Sequence, residues 1–265
     1  MFGKFHLMRK MTSVDPIAFK RVNALIRGFE ILELLADKKE SLGISEIAGR
    51  LKMHKGTVFG MVHTLAELRV LEKRSGKYIF GPKLYMLGKA AEKGANLVQA
   101  ARPYLEKISR LTNLSTFLGM RLGLEMVILD KVDTGSKFKI SLDIGTQIPL
   151  FPGAHGKALL SQLADDELND LLSMARLRDI GSRSRITMAE YRRKIRVARS
   201  QGVAFDREEF VEGIRGLAVP LETGREPQTV IWAMGVNGQL KDPVMKSCSK
   251  VLKEVAEEIR REFSA

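Results

Sequence analysis

The stretch Ser45–Arg69, SEIAGRLKMHKGTVFGMVHTLAELR, constrains this chain more than any other. A short helix is expected after Ser45, a suitable N-cap, burying Ile47, Ala48 and Leu51. Lys52, Met53 and His54 read as a tight turn. Val58, Met61, Val62, Leu65 and Leu68 then recur at helical spacing and line one side of a second helix. The other side carries Lys55, Gly56, Thr57, Phe59, Gly60 and His63. Two short helices joined by a tight turn form the unit that lays its second helix in the major groove of duplex DNA. Candidate DNA contacts are therefore Lys52, Lys55, Gly56, Thr57, Phe59, Gly60 and His63.

Gly56 and Gly60 share a face of that helix, and each costs about 1 kcal/mol against alanine. Core packing does not call for them, because they lie away from the apolar stripe. One account is close approach of the helix backbone to the duplex. The other is a pair of tolerated surface glycines. The first account expects Gly56→Leu to weaken DNA binding without loss of thermal stability.

The flanking segments extend the same unit. Val22–Ala36 reads as a helix with Leu25, Ile26, Phe29, Leu32 and Leu35 on one face, packing behind the two helices. Leu71–Arg74 and Lys77–Phe80 flank the turn pair Ser75-Gly76, a hairpin that makes the unit a winged helix-turn-helix. Arg74 and Lys77 sit at the tip of that wing, placed for phosphate contact. Pro82 opens another helix, Lys83 to about Ala95, with Leu84, Leu87, Ala91 and Ala95 on its apolar face. It reads as a connector whose apolar face suits a second subunit. The expected division is a basic arm at 1–20, a winged helix-turn-helix at 21–81, a linker helix at 82–96 and a second domain at 97–265.

Charge supports a polyanion partner. The formal net charge is +13, and residues 1–95 hold 18 Lys and Arg against 9 Asp and Glu. The excess is concentrated where the helix-turn-helix lies. Hydrophobic residues make up 45% of the chain, enough to give two domains a core each. Cys248 is the one cysteine, so no intrachain disulfide or thiol metal cluster is expected, and a cytoplasmic location is favoured. No apolar run reaches the roughly 18 residues of a membrane span, and no apolar stretch follows the basic N-terminus as in a secretory signal.

Beyond Leu97–Leu111, a helix with Pro103 as a break or restart, the pattern turns mixed. Strands are expected at Ser115–Arg121, Glu125–Val132, Lys137–Leu142, Val203–Asp206, Ile214–Leu221 and Thr229–Val236. Helices are expected at His155–Gln162, Asp165–Leu172, Met188–Gln201 and Asp242–Phe263. This is an α+β domain of antiparallel character, not a βαβ repeat. Arg176, Arg178, Arg183 and Arg185 make a basic loop that reads as solvated surface.

The residues then match a family. From about Val22 to the C-terminus the chain resembles the IclR family of transcriptional regulators. The matching segments are Ser45–Leu51 with Lys55–Val58, Gly145–Leu150 with Ala154–Leu160, and Gln201–Ala204 through Asp206–Glu209 to Ile214 and Ala218–Pro220, with Val236–Gly238 closing the last strand. The resemblance implies a winged helix-turn-helix joined by a helix to a GAF-like effector domain. It implies binding of a small organic or aromatic acid, no cofactor, and a homodimer or homotetramer that controls a catabolic operon. This chain departs from the family at His54, where a proline is usual, at Gly56 for serine and at Gly60 for arginine. His155 replaces a small residue, Gly235 and Asn237 stand where two serines are common, and Gly216 holds a position that is sometimes cysteine.

The family's pocket positions map to Ala154, His155, Asp206, Gly216, Gly235 and Asn237, with Leu150 and Phe151 as apolar wall. Ala154 and His155 open a helix, whose free N–H groups favour a carboxylate. Asn237 is able to donate an amide N–H, and Asp206 to accept from a hydroxyl or an amine. His155 has three readings: ligand contact, metal ligand with Asp206 and Glu209, or polar surface turn. Asp206, Glu208 and Glu209 read as a solvated turn or as part of the pocket. Gly156-Lys157 is not a phosphate-binding loop, because Phe151 stands where its earlier glycine is required and Ala158 replaces the hydroxyl residue. The expected function is a ligand-responsive DNA-binding regulator. The alternatives are a DNA-tethered enzyme or a structural DNA-binding protein without ligand.

Overall fold

The computed structural model describes residues 22–38, 41–92, 97–136, 139–174, 187–221 and 228–264. The chain forms two compact units, Met1–Asn96 and Leu97–Ala265. The basic arm at 1–20 and the four arginines of the basic loop fall outside the described residues.

The first unit contains α1 (Asn23–Lys38), α2 (Ile44–Leu51), α3 (Lys55–Glu67), β1 (Leu71–Arg74), β2 (Lys77–Phe80) and α4 (Pro82–Glu92). Helix α2 starts two residues earlier than the sequence suggests. Gly43 caps it, and the Glu46 carboxylate accepts the Gly43 N–H at 2.8 Å. Ser45 is thus inside the first turn. Lys52 ends α2 in the left-handed region, φ 52°, which turns the chain sharply into α3. His54 caps α3 through Nδ1, which accepts the Gly56 N–H at 3.3 Å. In the hairpin, Ser75 and Gly76 both have positive φ, 49° and 79°, the twist that a two-residue turn needs to match its strands. Tyr78 also pairs with Leu42, which adds a third, one-residue strand.

One small core holds these elements together, built from Ile31, Leu35, Leu42, Ile47, Val58, Val62, Leu71 and Tyr78. Two expected faces are corrected. Leu68 is 58% exposed, because α3 ends at Glu67 and the stripe runs out with it. In α1 the buried positions are Ile31 and Leu35, while Leu25 and Phe29 are more than 60% exposed. The other elements cover only the second half of α1, so its first half keeps an apolar face open.

The second unit begins with α5 (Leu97–Thr112). Pro103 lies inside α5 and does not interrupt it. Pro103 and Gln99, four residues earlier, are both exposed, so water can take up the carbonyl that loses its helical donor. A six-stranded antiparallel sheet follows, in the order β5-β4-β3-β8-β7-β6. Its strands are β3 (Ser115–Leu122), β4 (Glu125–Val132), β5 (Gln147–Pro149), β6 (Ala204–Arg207), β7 (Ile214–Leu221) and β8 (Thr229–Val236). The strand expected at Lys137–Leu142 is not formed over residues 139–142. The edge of the sheet is instead closed by β5, which pairs with Glu125–Val127 of β4.

Helices cover both faces. On one side α6 (Gly153–Leu160), α7 (Asp165–Met174) and α8 (Met188–Gln201) pack over Phe117, Trp232 and Ala218. On the other, α5 and α9 (Asp242–Ser264) pack over Leu118, Ile231 and Leu217. Coverage on both faces explains why β7 and β8 read as nearly continuous apolar runs rather than as an alternation.

Among the described glycines of this unit, the one with least room for a side chain lies on α6. A β-carbon built on Gly156 would stand 1.7 Å from the Leu150 carbonyl oxygen. The carbonyl belongs to backbone, so no side chain can move aside. Gly156→Ala should therefore lower the stability of the folded chain by about 3 kcal/mol or more. Urea unfolding followed through Trp232 fluorescence measures this, and an unchanged midpoint would show that α6 does not seat against that carbonyl.

Candidate functional site

The first unit presents one exposed surface on α3. Lys55, Gly56, Phe59, Gly60 and His63 are exposed and Thr57 is half-buried, on the side opposite Val58 and Val62, and Lys52, which ends α2, is exposed as well. Phe59 stacks on His63 with ring centroids 4.1 Å apart and planes tilted by 31°. His63 Nε2 lies 3.4 Å from the Tyr78 hydroxyl, linking α3 to the wing. The Thr64 hydroxyl donates to the Gly60 carbonyl at 2.9 Å. At the wing tip Arg74 pairs with Glu72 at 3.2 Å, and Lys77 pairs with Glu46 at 3.8 Å. The Gly43 N–H and then Lys77 hold the Glu46 carboxyl below its ordinary range. Exposed pairs of this kind are worth little, so a denser polyanion can take either cation.

The second unit holds a narrow cleft between α6 and the β6–β7–β8 end of the sheet. Ala154, His155, Asp206, Phe210, Gly216 and Trp232 line it, with Val211, Ile214, Arg215 and Met234. Its cavity is about 10 Å³, the room of a single water molecule. Asp206, Gly216 and Met234 lie side by side across three strands.

Four of the eight sequence-derived ligand positions meet here: Ala154, His155, Asp206 and Gly216. The other four do not. Leu150 and Phe151 are core, and the Phe151 carbonyl accepts from the buried Tyr191 hydroxyl. Gly235 belongs to the opposite face of the sheet, where an added β-carbon would meet Leu114 at 2.8 Å. Asn237 lies past the end of β8 and donates its backbone N–H to Gly213 O at 2.7 Å. Sequence reading missed Trp232 and Met234. The two-residue period of β8, counted from its apolar run, would have placed them together on the cleft side.

Burial sets the protonation of the cleft. His155 is 1% exposed, which excludes the surface-turn reading. Its Nε2 donates to the Pro149 carbonyl at 3.0 Å, which leaves Nδ1 as an acceptor. Burial lowers its pKa to about 4, so the ring is neutral at pH 7. Asp206 is pushed the other way, to about 6, again by burial first. Its Oδ1 accepts the Glu209 N–H at 2.8 Å. Behind it, the buried Lys157 ammonium donates to Glu209 at 2.5 Å, and Lys194 reaches the same carboxylate at 3.2 Å. Glu209 is thereby held below the ordinary carboxylate range despite its burial. Among the described residues no group of three His, Cys, Asp or Glu side chains is placed to hold a metal ion, so the geometry lends the metal reading no support. Trp232 Nε1 and Ser115 Oγ are buried without a hydrogen-bond partner.

Comparison with known proteins adds an independent line. Residues 24–75 match the family model described as the IclR helix-turn-helix domain. Residues 89–261 match the bacterial transcriptional regulator IclR C-terminal model. The HTH-type transcriptional regulator KdgR of Escherichia coli is 30% identical over 202 residues, 76% of each chain. The transcriptional repressor AllR of the same species is 24% identical over 250 residues, 92% of each. The Thermotoga maritima IclR crystal structure superposes with a TM-score of 0.70 at 26% identity, covering 92% of this chain and 100% of that one. An IclR homolog from Microbacterium hydrocarbonoxydans, solved with 4-hydroxybenzoate, gives 0.77 at 20% identity, covering 91% and 99%.

The two shifted groups in the cleft act against each other as pH changes. Folded His155 binds fewer protons than unfolded chain between about pH 4 and 6.5, so its share of stability is lost as pH falls through that window. Folded Asp206 binds more protons than unfolded chain between 3.8 and about 6, so its share is lost as pH rises through that window. Between pH 4 and 6 the two slopes offset. Asp206→Asn keeps an acceptor for the Glu209 N–H and removes the buried charge. It should raise stability at pH 7 by about 1 kcal/mol or more. It should also make stability fall more steeply than in the unaltered chain from pH 6 to 4. Urea titrations at three pH values check both, and parallel profiles would remove the assignment.

Proposed function

The chain is a member of the IclR family of transcriptional regulators, and from that premise we propose that its first unit grips an operator while its second senses a small organic or aromatic acid. The observation that carries the first half is the exposed face of α3, with Lys52 and Lys55 beside it and the wing cations Arg74 and Lys77 nearby in sequence and fold. Lys52, Lys55, Arg74 and Lys77 engage phosphates, while Gly56, Thr57, Phe59, Gly60 and His63 face the bases. The assignment of repression is supported by likeness to AllR, a transcriptional repressor; a catabolic operon is what the family resemblance implies.

Two copies are needed for a useful site, since one α3 covers only a few base pairs. A twofold dimer reads half-sites about 34 Å apart or a multiple of that. The open apolar faces support such pairing: Leu25 and Phe29 on α1, and Tyr85, Met86 and Leu87 on α4, are all more than half exposed. A homodimer or homotetramer buries them. Helix α4 then serves as the linker through which effector binding alters the grip. A ligand shifts that equilibrium only by its differential affinity for the two arrangements, commonly about 1–3 kcal/mol.

For the effector, the cleft between α6 and β7 is the seat. Ala154 and His155 supply the helix end, Trp232 and Phe210 an aromatic wall, and Asp206 and His155 Nδ1 acceptors for a hydroxyl. The 4-hydroxybenzoate bound by the Microbacterium relative is an acid of this kind. Because the cavity is so small, entry must displace Phe210 and Val211, which sit on the turn after β6.

Three measurements test this reading. Operator affinity should fall about ten-thousandfold between 50 and 200 mM salt if four cations on each of two subunits replace counterions; a flat titration would count against phosphate contact. Gly60→Ala should raise the melting temperature, since its β-carbon meets nothing within 4 Å and the substitution gains about 1 kcal/mol of helix propensity. The same variant should bind DNA more weakly. It is a cleaner test than Gly56→Leu, because a β-carbon at Gly56 lies 3.3 Å from the His54 cap. An acidic effector beside Asp206 should drive proton uptake, so acids in a thermal-shift screen should bind more tightly at pH 6 than at pH 8. The opposite order would exclude a carboxylate near Asp206.

A further inference from the structure

We propose that Phe59 reads the 5-methyl group of a thymine in the operator, an inference that rests on the DNA-binding reading above. Each base pair offers a distinct pattern in the major groove, and each pattern calls for its own side chain. Guanine is met by arginine or lysine, adenine by asparagine or glutamine, and cytosine by a carboxylate. Thymine alone offers a methyl group to an apolar contact.

The face of α3 lacks most of these readers. From Gly56 to Thr64 the helix carries no Arg, Lys, Asn, Gln, Asp or Glu. The Thr64 hydroxyl is already bonded to the Gly60 carbonyl. His63 Nε2 is turned to the Tyr78 hydroxyl, and the His63 ring lies under Phe59. What projects from the middle of the face is the Phe59 ring, 52% exposed.

The setting favours a duplex over an apolar protein partner. Phe59 stands between exposed Gly56 and Gly60, with Lys55 one turn back and no acid nearer on α3 than Glu67. That is a cationic surface with a single aromatic ring at its centre. Stacking on His63 fixes the ring before binding, so little side-chain entropy remains to be lost. Open space around Gly60 lets the helix backbone come close enough for the ring edge to reach a methyl group.

The test uses the full chain and a random double-stranded DNA library. Enriched half-sites should share a thymine at a fixed position. Replacing that thymine with deoxyuridine removes only the methyl group, and should weaken binding about fourfold per half-site. Phe59→Ala, at a side chain half exposed on α3, should bind the thymine site more weakly, bind thymine and uracil sites equally, and keep its salt dependence. Enriched sites without a fixed thymine, or equal binding of both sites by the unaltered protein, would overturn this inference alone. No enrichment of any DNA would overturn the DNA-binding reading itself.

Discussion

The ion pair between Lys157 and Glu209 is the interaction on which the cleft depends. Lys157 lies on α6, a helix with all eight residues buried, and Glu209 lies on the turn that follows β6. The ammonium is 1% exposed and the carboxylate 12%. Burial alone would neutralise either group, and the pKa of Lys157 is lowered by burial in spite of its partner. Removing one member of such a pair leaves an uncompensated charge and typically costs about 3–5 kcal/mol. The pair thus pins the helix that floors the cleft to the turn that forms its rim. Asp206 tightens the same turn by accepting the Glu209 N–H. A change in the charge of Asp206 therefore acts directly on Phe210 and Val211, the residues that close the cavity.

The two units are built to different standards. The second has a covered sheet and two extensive cores, and its ends are tied by pairs such as Lys107 with Glu258 at 2.8 Å. The first has a single small core and leaves large apolar side chains in solvent on α1 and α4. Its helix α3 also accepts two glycines that its own packing does not require. These features lower the stability of the isolated unit. They make sense where the missing contacts come from outside, from a second copy on α1 and α4 and from a duplex on α3.

The legibility of this fold followed the strength of local signals. Glu125–Val132, Met188–Gln201, Ile214–Leu221 and Thr229–Val236 are read from sequence with the bounds they have in the structure. Each combines an apolar period with clear turn residues at its ends. The hairpin at Ser75-Gly76 is equally plain, because few residues fit its two positive φ angles. The misreadings arose where position depends on distant chain. β5 exists only because Gln147–Pro149 meets β4, and its three residues carry no period of their own. Leu25 and Phe29 look like core because periodicity shows which residues share a face, not whether anything covers it.

The cleft shows the same division more sharply. Two positions carried over from the family, Asp206 and Gly216, are directly paired across β6 and β7 and line the cleft. Gly235, one strand over and one residue past Met234, belongs to the other face of the sheet. In β8 a shift of one residue exchanges the two faces of the sheet: Trp232 and Met234 face the cleft, while Ala233 packs toward α5 and α9. The cleft wall is therefore built from an indole, a thioether and a neutral imidazole. Such a wall contributes dispersion and few donors, so polar recognition falls to the end of α6, Asp206 and His155. Burial raises the pKa of Asp206 to about 6, so on the proposed reading an acid bound there meets a carboxyl close to taking up a proton. On the proposed reading, effector binding and proton uptake are a single event, felt by the turn that Glu209 anchors to α6.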